Sequence, residues 1–468
     1  MSTPSLSRLQ KAFLKNGIQL ARSGDVVQVR NEAAQASILL PASLPLEEKA
    51  VSQLLNFASV HSPDSHHSVC KACATPDFHP GSIAPVGTIV ATPHDFVIPA
   101  AIGTDINCGM RLLTLGLSAQ QAEAQRERIT QALTHVLLQN GRNIPVHSKA
   151  FEALLTQNPH AFFAENRFDA GLWHSVNQSR LLHELDQCIG LHQLKNAQAK
   201  HLPDAYLAKS NTIYRDPCLG TVGSGNHFVE LQQVIEILDS KAAYHAGIKQ
   251  GDLVAMIHSG SRDLGFYVGR QWMDKAKAAW GIGLKQPTHE LYGLTGALAD
   301  EYLQAISAAA RYAWLNRVVL AEMLREQFNL LGLLGNSQLV VDVPHNVVLQ
   351  ENGLNIHRKG ATSAHAEQLA LIPGSMGDYS YLVKGLGNAD WLHSCSHGAG
   401  RSVRRQAMRA SKTLTTSTEW HCVMLKEERR IEEAPSAYKP IGAVIESQEQ
   451  AGLIQVVAKF KPWLTFKA

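Results

Sequence analysis

Apolar residues recur at three- and four-residue spacing from Leu298 to about Leu330, at Leu303, Ile306, Ala310, Ala313 and Val319-Leu320. That periodicity predicts a long, alanine-rich core helix, with Asn316 and Arg317 as its only candidates for another role. A second amphipathic helix is predicted over Pro45–Ala58, from its proline start and early glutamate pair, and a third over about Ser118–Gln139. Elsewhere the apolar positions form short runs that read as strands. Val26–Val29, Ala84–Thr92, Phe96–Ile102, Val254–Ile257, Val340–Val343, Leu371–Val383 and the aromatic-rich C-terminal segment are of this kind. Residues 140 to about 216 are more polar and read as an insertion of short helices and loops.

Several of these strands end in glycine-bounded turns that carry ligand-type side chains. Ile102-Gly-Thr-Asp-Ile-Asn-Cys-Gly-Met110 sets a carboxylate, Asp105, three residues before a thiol, Cys108. Both can face one point, and a thiolate can bridge two cations. Gly220-Thr-Val-Gly-Ser-Gly-Asn-His-Phe-Val-Glu230 offers backbone N–H groups of the kind that cradle phosphate, followed by His227 at a strand start. It has neither a Walker nor a dinucleotide-binding spacing. Val254-Ala-Met-Ile-His-Ser-Gly-Ser-Arg262 ends a strand on His258 beside a turn with a guanidinium. Pro344 breaks a strand pair and puts His345 and Asn346 at the bend, and His397-Gly-Ala-Gly-Arg401 leaves one imidazole open to close approach. The basic turn His357-Arg-Lys-Gly-Ala-Thr362 adds two potential phosphate partners. Cys70-Lys-Ala-Cys73 lacks a second pair to complete a four-cysteine site and reads as incidental. Asp77 and His79 share one side of an extended segment, where supporting a site and forming a surface turn fit equally.

The balance of 43 Lys and Arg against 40 Asp and Glu leaves a formal charge of +3, so any nucleic-acid contact must come from a local patch. Seven irregularly spaced cysteines and a first segment in which Lys and Arg interrupt the apolar residues predict a reducing, cytoplasmic setting. No stretch approaches the length of a membrane span. Taken one at a time, each histidine is more often a satisfied polar residue than a ligand. Together, three imidazoles with Asp105 and Cys108 suffice for two divalent cations sharing one sulfur, and a fourth imidazole is then free to act as a nucleophile. The donor set suits Mn, Zn, Fe or Co.

The ordered set Pro76–Gly81, Ile98–Met110, Gly220–Glu230, His258–Arg262, Pro344–Asn346, Arg358–Thr362, Pro373–Gly377 and His397–Arg401 resembles the RtcB-type RNA ligases. The resemblance runs from about Leu44, leaving residues 1–43 as a leader of uncertain role and 44–468 as a ligase domain. It implies one large α+β domain with central mixed sheets surrounded by helices. It implies GTP-dependent joining of an RNA 3′-phosphate or 2′,3′-cyclic phosphate to a 5′-hydroxyl end, in RNA repair or tRNA splicing, with help in some relatives from an accessory activating protein. Two manganese ions would be held, one by Cys108, His258 and His345, the other by Asp105, Cys108 and His227. His397 would carry GMP. GTP contacts implied are Asn226, His227, Phe228, Glu230, His345, Asn346, Pro373, Gly374, Ser375, Met376, Ser380, His397, Ala399, Gly400, Tyr438 and Lys467. Arg262, Lys359, Arg401 and Arg405 would meet RNA phosphates.

The chain departs from the pattern at Asn143–Lys149, which is poor in glycine, and at Asp263, where a small residue is usual. These touch substrate choice and leave the metal and guanylylation residues intact. Two other function classes are distinguishable from a ligase by the absence of covalent GMP: an RNA-end-binding sensor or scaffold without turnover, and a dinuclear metallophosphatase acting on nucleotides.

Overall fold

The computed structural model describes residues 7–207, 212–281, 283–410 and 421–468. Among them two large sheets dominate, with helices packed outside, giving one α+β domain. The larger sheet runs in the order Leu339–Pro344, Gly109–Ser118, Asp252–Ser259, Phe228–Ile237, Ile454–Lys467, Ser380–Gly385, Leu369–Pro373. Those neighbours pair antiparallel, and Cys422–Met424 adds a short parallel partner to Ile454–Lys467. The strand Gly109–Ser118 is buried almost continuously rather than at every second residue, which marks a strand covered on both faces.

One cover is the helix Gly296–Leu330, 35 residues long and buried along most of its length. Its alanines let neighbouring elements approach closely. The helix carries buried Arg311, Asn316, Arg317 and Arg325 among its apolar positions, and each is hydrogen-bonded. The expected helix over Ser118–Gln139 is two pieces, Ala119–Glu123 and Arg126–Leu138. The break falls where Arg126 turns to hold Glu123 and the Trp463 carbonyl.

The smaller sheet has the order Gln19–Ser23, Val26–Arg30, Gln35–Leu39, Lys71–His79, Val86–Pro93, Leu354–Lys359, Asn346–Glu351. Its first three strands come from the segment before residue 44. Val27, Val29 and Ile38 from that segment share a core with Ile89, Ile356 and Ile372. Leu339–Pro344 and Asn346–Glu351 flank His345 and belong to different sheets, so this residue sits on the seam between them.

The polar region after residue 140 packs its short helices over the long helix. It contributes Glu184, which lies 2.8 Å from Arg111 and 2.5 Å from Arg325. Asp342 joins the same buried network, 3.2 Å from Arg111 and 2.6 Å from Arg317. Every charge there has an opposite partner, which lets ions be tolerated in an apolar interior. No helix among the described residues is long and apolar enough to cross a membrane.

Candidate metal centre and nucleotide pocket

The metal-type turn is fixed from behind by the long helix. Asn107 takes a left-handed φ of +56°, and its side-chain amide donates to the Ala310 carbonyl at 3.1 Å. Arg317 donates to the carbonyls of Asn107 (2.8 Å) and Ser259 (3.2 Å), joining the turn that bears Cys108 to the strand end that bears His258. Asn316 donates to the Ser259 hydroxyl at 2.9 Å. The seam residue is tied in as well: the His345 N–H donates to the Cys108 carbonyl at 2.8 Å. The two polar residues left over from the helix pattern thus hold the site's main chain.

These ties bring five side chains together. The Cys108 sulfur lies 3.2 Å from Nε2 of both His227 and His258, and His258 and His345 bring their Nε2 atoms to 3.1 Å. His227 Nε2 lies 2.9 Å from an Asp105 oxygen. Two groups, Cys108–His258–His345 and Asp105–Cys108–His227, each have ligand atoms within 4.8 Å of one another and share the thiol. Burial, then the neighbouring imidazoles, push the pKa values of His258 and His345 down, which keeps them neutral and able to donate a lone pair. Burial opposes charge on Asp105, but His227 holds its carboxyl well below the usual range. Burial and the Asp105 charge push the Cys108 thiol up, so an entering cation must displace a proton from it. Clustered neutral imidazoles, a thiol and an ionised carboxylate fit a pair of divalent cations of the Mn–Zn class.

His397 faces this cluster from the other wall, its ring centre 4.6 Å from that of His345. No thiol touches it. Its Nδ1 lies 2.7 Å from an oxygen of Asp77, which also accepts the His397 backbone N–H at 3.2 Å. Asp77 is fully buried and takes a third hydrogen bond from Thr75 at 2.6 Å. Burial opposes its charge, yet the His397 contact prevails and holds it low, so Asp77 is the acceptor and Nδ1 carries the proton. Among the described residues Nε2 has no hydrogen-bond partner.

Between the walls lies a cavity of about 230 Å³. Of the expected GTP contacts, Asn226, Phe228, Glu230, His345, Asn346, Pro373, Gly374, Ser375, Met376, His397, Ala399, Gly400, Tyr438 and Lys467 line it. His227 sits in the metal cluster instead. Ser380 is buried behind the wall, accepting from Gln232, whose amide also donates to Glu230 at 2.5 Å. A second, larger cavity of about 710 Å³ shares His79, Asp105, Lys359, Arg401 and Arg405 with the first. One stripe of the helix Arg262–Ala278, Phe266, Arg270 and Met273, lines it. Phe266 is 59% exposed, with the Arg270 guanidinium 5.9 Å above its ring.

Some expected contacts fall elsewhere. Arg262 has its Nε–H on the Thr221 hydroxyl at 3.1 Å and borders neither cavity. Of the two phosphate partners expected in the basic turn, only Lys359 reaches the cavities, because Arg358 is fully buried and forks onto Glu351. The Gly220 turn serves packing: Gly220 donates to Asn316, and Gly223 has His227 and Arg262 where a Cβ would be. Cys73 is buried in the strand Lys71–His79 and Cys70 is exposed just before it, and both are free thiols. The chain pattern did not single out Glu433, an acid inside a charged run. It is buried and accepts from Arg401 (3.4 Å), Arg405 (3.1 Å), Tyr438 (2.5 Å) and Lys467 (3.3 Å), so it fixes four cavity residues.

A family model described as tRNA-splicing ligase RtcB matches residues 53–468. The chain belongs to the RtcB family. It is 30% identical over 455 residues to a tRNA-splicing ligase RtcB of Archaeoglobus fulgidus, covering 89% of this chain and 90% of that one. A tRNA-splicing ligase RtcB of Aeropyrum pernix is 29% identical over 463 residues, with 89% and 91% covered. An RNA-splicing ligase RtcB of Mycobacterium bovis is 32% identical over 425 residues, with 83% and 95% covered. The span matched to the RtcB family holds both candidate ligand groups, His397 and its buried carboxylate. The three N-terminal strands of the smaller sheet lie before it.

Proposed function

We propose that this chain is a GTP- and manganese-dependent RNA ligase that joins 3′-phosphate or 2′,3′-cyclic phosphate ends to 5′-hydroxyl ends. The observation that carries the reading is the placement of His397. It is the one imidazole of the cavity paired with a buried carboxylate, and it faces two ligand groups across a nucleotide-sized space. The names of the RNA-joining relatives support the substrate class.

In the first step His397 Nε2 attacks the α-phosphorus of GTP. An N–P bond forms, the bond to the bridging oxygen of the β-phosphate breaks, and pyrophosphate leaves. Asp77 holds the Nδ1 proton and stabilises the positive charge that the ring gains. In the second step an oxygen of the RNA 3′-phosphate attacks the same phosphorus, releasing His397 and leaving GMP on the RNA end. The 5′-hydroxyl oxygen then attacks the RNA 3′-phosphorus, loses its proton, and expels GMP. A cyclic end is first opened by water. Asp105, Cys108, His227, His258 and His345 would hold two manganese ions, whose charge offsets that of the phosphates. Glu230, which lines the same cavity as Phe228 and Tyr438, would supply an acceptor for guanine N–H groups. Lys359, Arg401 and Arg405 stand where the two cavities meet and would take RNA phosphates.

Incubation with α-labelled GTP and Mn²⁺, followed by denaturing electrophoresis, tests this directly. A labelled band that disappears in His397→Ala is expected. An unlabelled wild type, shown to be metal-loaded and GTP-bound, sinks the mechanism and favours a binding protein or a phosphatase.

A further inference from the structure

Lys439 is 2% exposed, and among the described residues no carboxylate lies within ion-pair distance of its ammonium. Its acceptors are two main-chain carbonyls, those of Pro76 at 2.9 Å and Phe78 at 2.5 Å. Burying an ammonium with only neutral partners is costly, and a methionine would fill the same space without that cost. The two carbonyls flank Asp77. One charge grasping both fixes the backbone torsions between them, and with those the aim of the Asp77 carboxylate.

The same residue also reaches the nucleophile's turn. Its backbone N–H donates to the Gly400 carbonyl at 2.9 Å. Gly400 has a φ of +73°, and a Cβ there would lie 2.2 Å from the Asp77 carbonyl oxygen, so this turn presses directly on the Asp77 strand. Lys439 therefore touches both segments whose relative placement sets the Asp77–His397 hydrogen bond. We propose that Lys439 is a positioning residue for guanylyl transfer, clamping the Asp77 strand to the His397 turn through its ammonium and its backbone. The inference rests on the reading of His397 as the guanylylated residue.

The charged and titratable groups facing Lys439 are Asp77 and His79 on the strand and Glu47 at the start of the helix Glu48–Ala58. Burial pushes its pKa down to about 8, with Asp77 and Glu47 pulling the other way. The ammonium is thus complete below that pH and is lost as pH rises through it.

The test measures the initial rate of labelling by α-labelled GTP from about pH 6 to about pH 10, in wild type, Lys439→Met and His397→Ala. Wild-type labelling is expected to fall as pH rises through about 8. Lys439→Met should label about 100-fold more slowly at neutral pH, with little change in the GTP concentration giving half-maximal rate, and without the high-pH fall. Its cation binding and melting temperature should stay near those of wild type. Where Lys439→Met does not fold, Lys439→Ala with added ethylammonium replaces it, and recovery of rate in proportion to the protonated amine supports the clamp. Lys439→Met labelling within about 3-fold of wild type with the same pH profile overturns the inference while leaving the ligase reading intact. Loss of cation binding and GTP affinity together, with an unshifted profile, also overturns it, as a purely architectural role. A wild type that never labels overturns the ligase reading and this inference with it.

Discussion

Two walls of one cavity set the same side chain in different surroundings. On the first, His258 and His345 press against each other and a thiol, burial keeps them neutral, and their lone pairs converge. On the second, His397 stands 4.6 Å from His345 between ring centres and turns to a buried carboxylate. The imidazoles differ in their partners: His258 and His345 meet through Nε2, whereas His397 meets Asp77 through Nδ1. In the function proposed, a carboxylate behind the ring would make a nucleophile of it, and a thiol in front would make it a ligand. The histidine itself decides neither role.

The comparison breaks most sharply at His397. His397→Ala should reduce covalent labelling by GTP at least about 10⁴-fold while cation binding, measured by calorimetry, is unchanged. Asp77→Asn tests the other half of the pair, because an amide offers either tautomer a partner. A loss between about 10² and about 10⁴-fold in labelling rate, with GTP affinity kept, is expected. On the first wall, Cys108→Ala removes the atom common to both ligand groups. Calorimetry should show both cation sites weakened by about 100-fold or more, with unfolding of the metal-free protein little changed. An effect on one site only would refute the shared sulfur. Arg317→Met leaves Asp342 with one fewer charge partner in the interior and frees two carbonyls behind the metal turn. A loss of about 3–5 kcal/mol in chemical denaturation is expected, with cation binding weakened. The smallest effect sharpens the contrast from outside both walls. Phe266→Ala should weaken single-stranded RNA binding, measured by fluorescence anisotropy, by about 1–3 kcal/mol and leave labelling by GTP untouched.

Much of the first wall was legible along the chain because strands that end in glycine turns announce the side chains they present. Asp105, Cys108, His227 and His258 stand at such places, His345 stands at the Pro344 bend, and the five meet in space. The long helix was legible from its period, within two residues of its start. What the chain hid was whatever depends on a partner far away in sequence. Asp77 fitted support of a site and a surface turn equally, since the residue it pairs with lies 320 positions on. Arg358 read as a phosphate contact because its sequence neighbours are basic, while its actual neighbour, Glu351, lies across a strand pair. Glu433 and Lys439 carried no periodic or motif signal at all. Ser380 was drawn to the cavity by resemblance, and the register of its strand turns it inward to Gln232. The Asp77–His79 pair divides accordingly: Asp77 pairs with His397, and His79 lines both cavities.

The position of His345 on the seam between the sheets has a consequence for the order in which the molecule assembles. The residues of the two walls are drawn from positions 77 to 439, and the strands that present them are neighbours in space far more often than in sequence. Closing such distant pairings is slow and late in folding, because the entropy of long loops is lost before their contacts form. Each ligand group spans more than a hundred residues, so neither forms within a short local segment. A cation therefore cannot template this fold as zinc does in a small finger domain. The group that His345 completes would instead form only in a chain that has already joined its two sheets, whereas Asp105, Cys108 and His227 need the larger sheet alone.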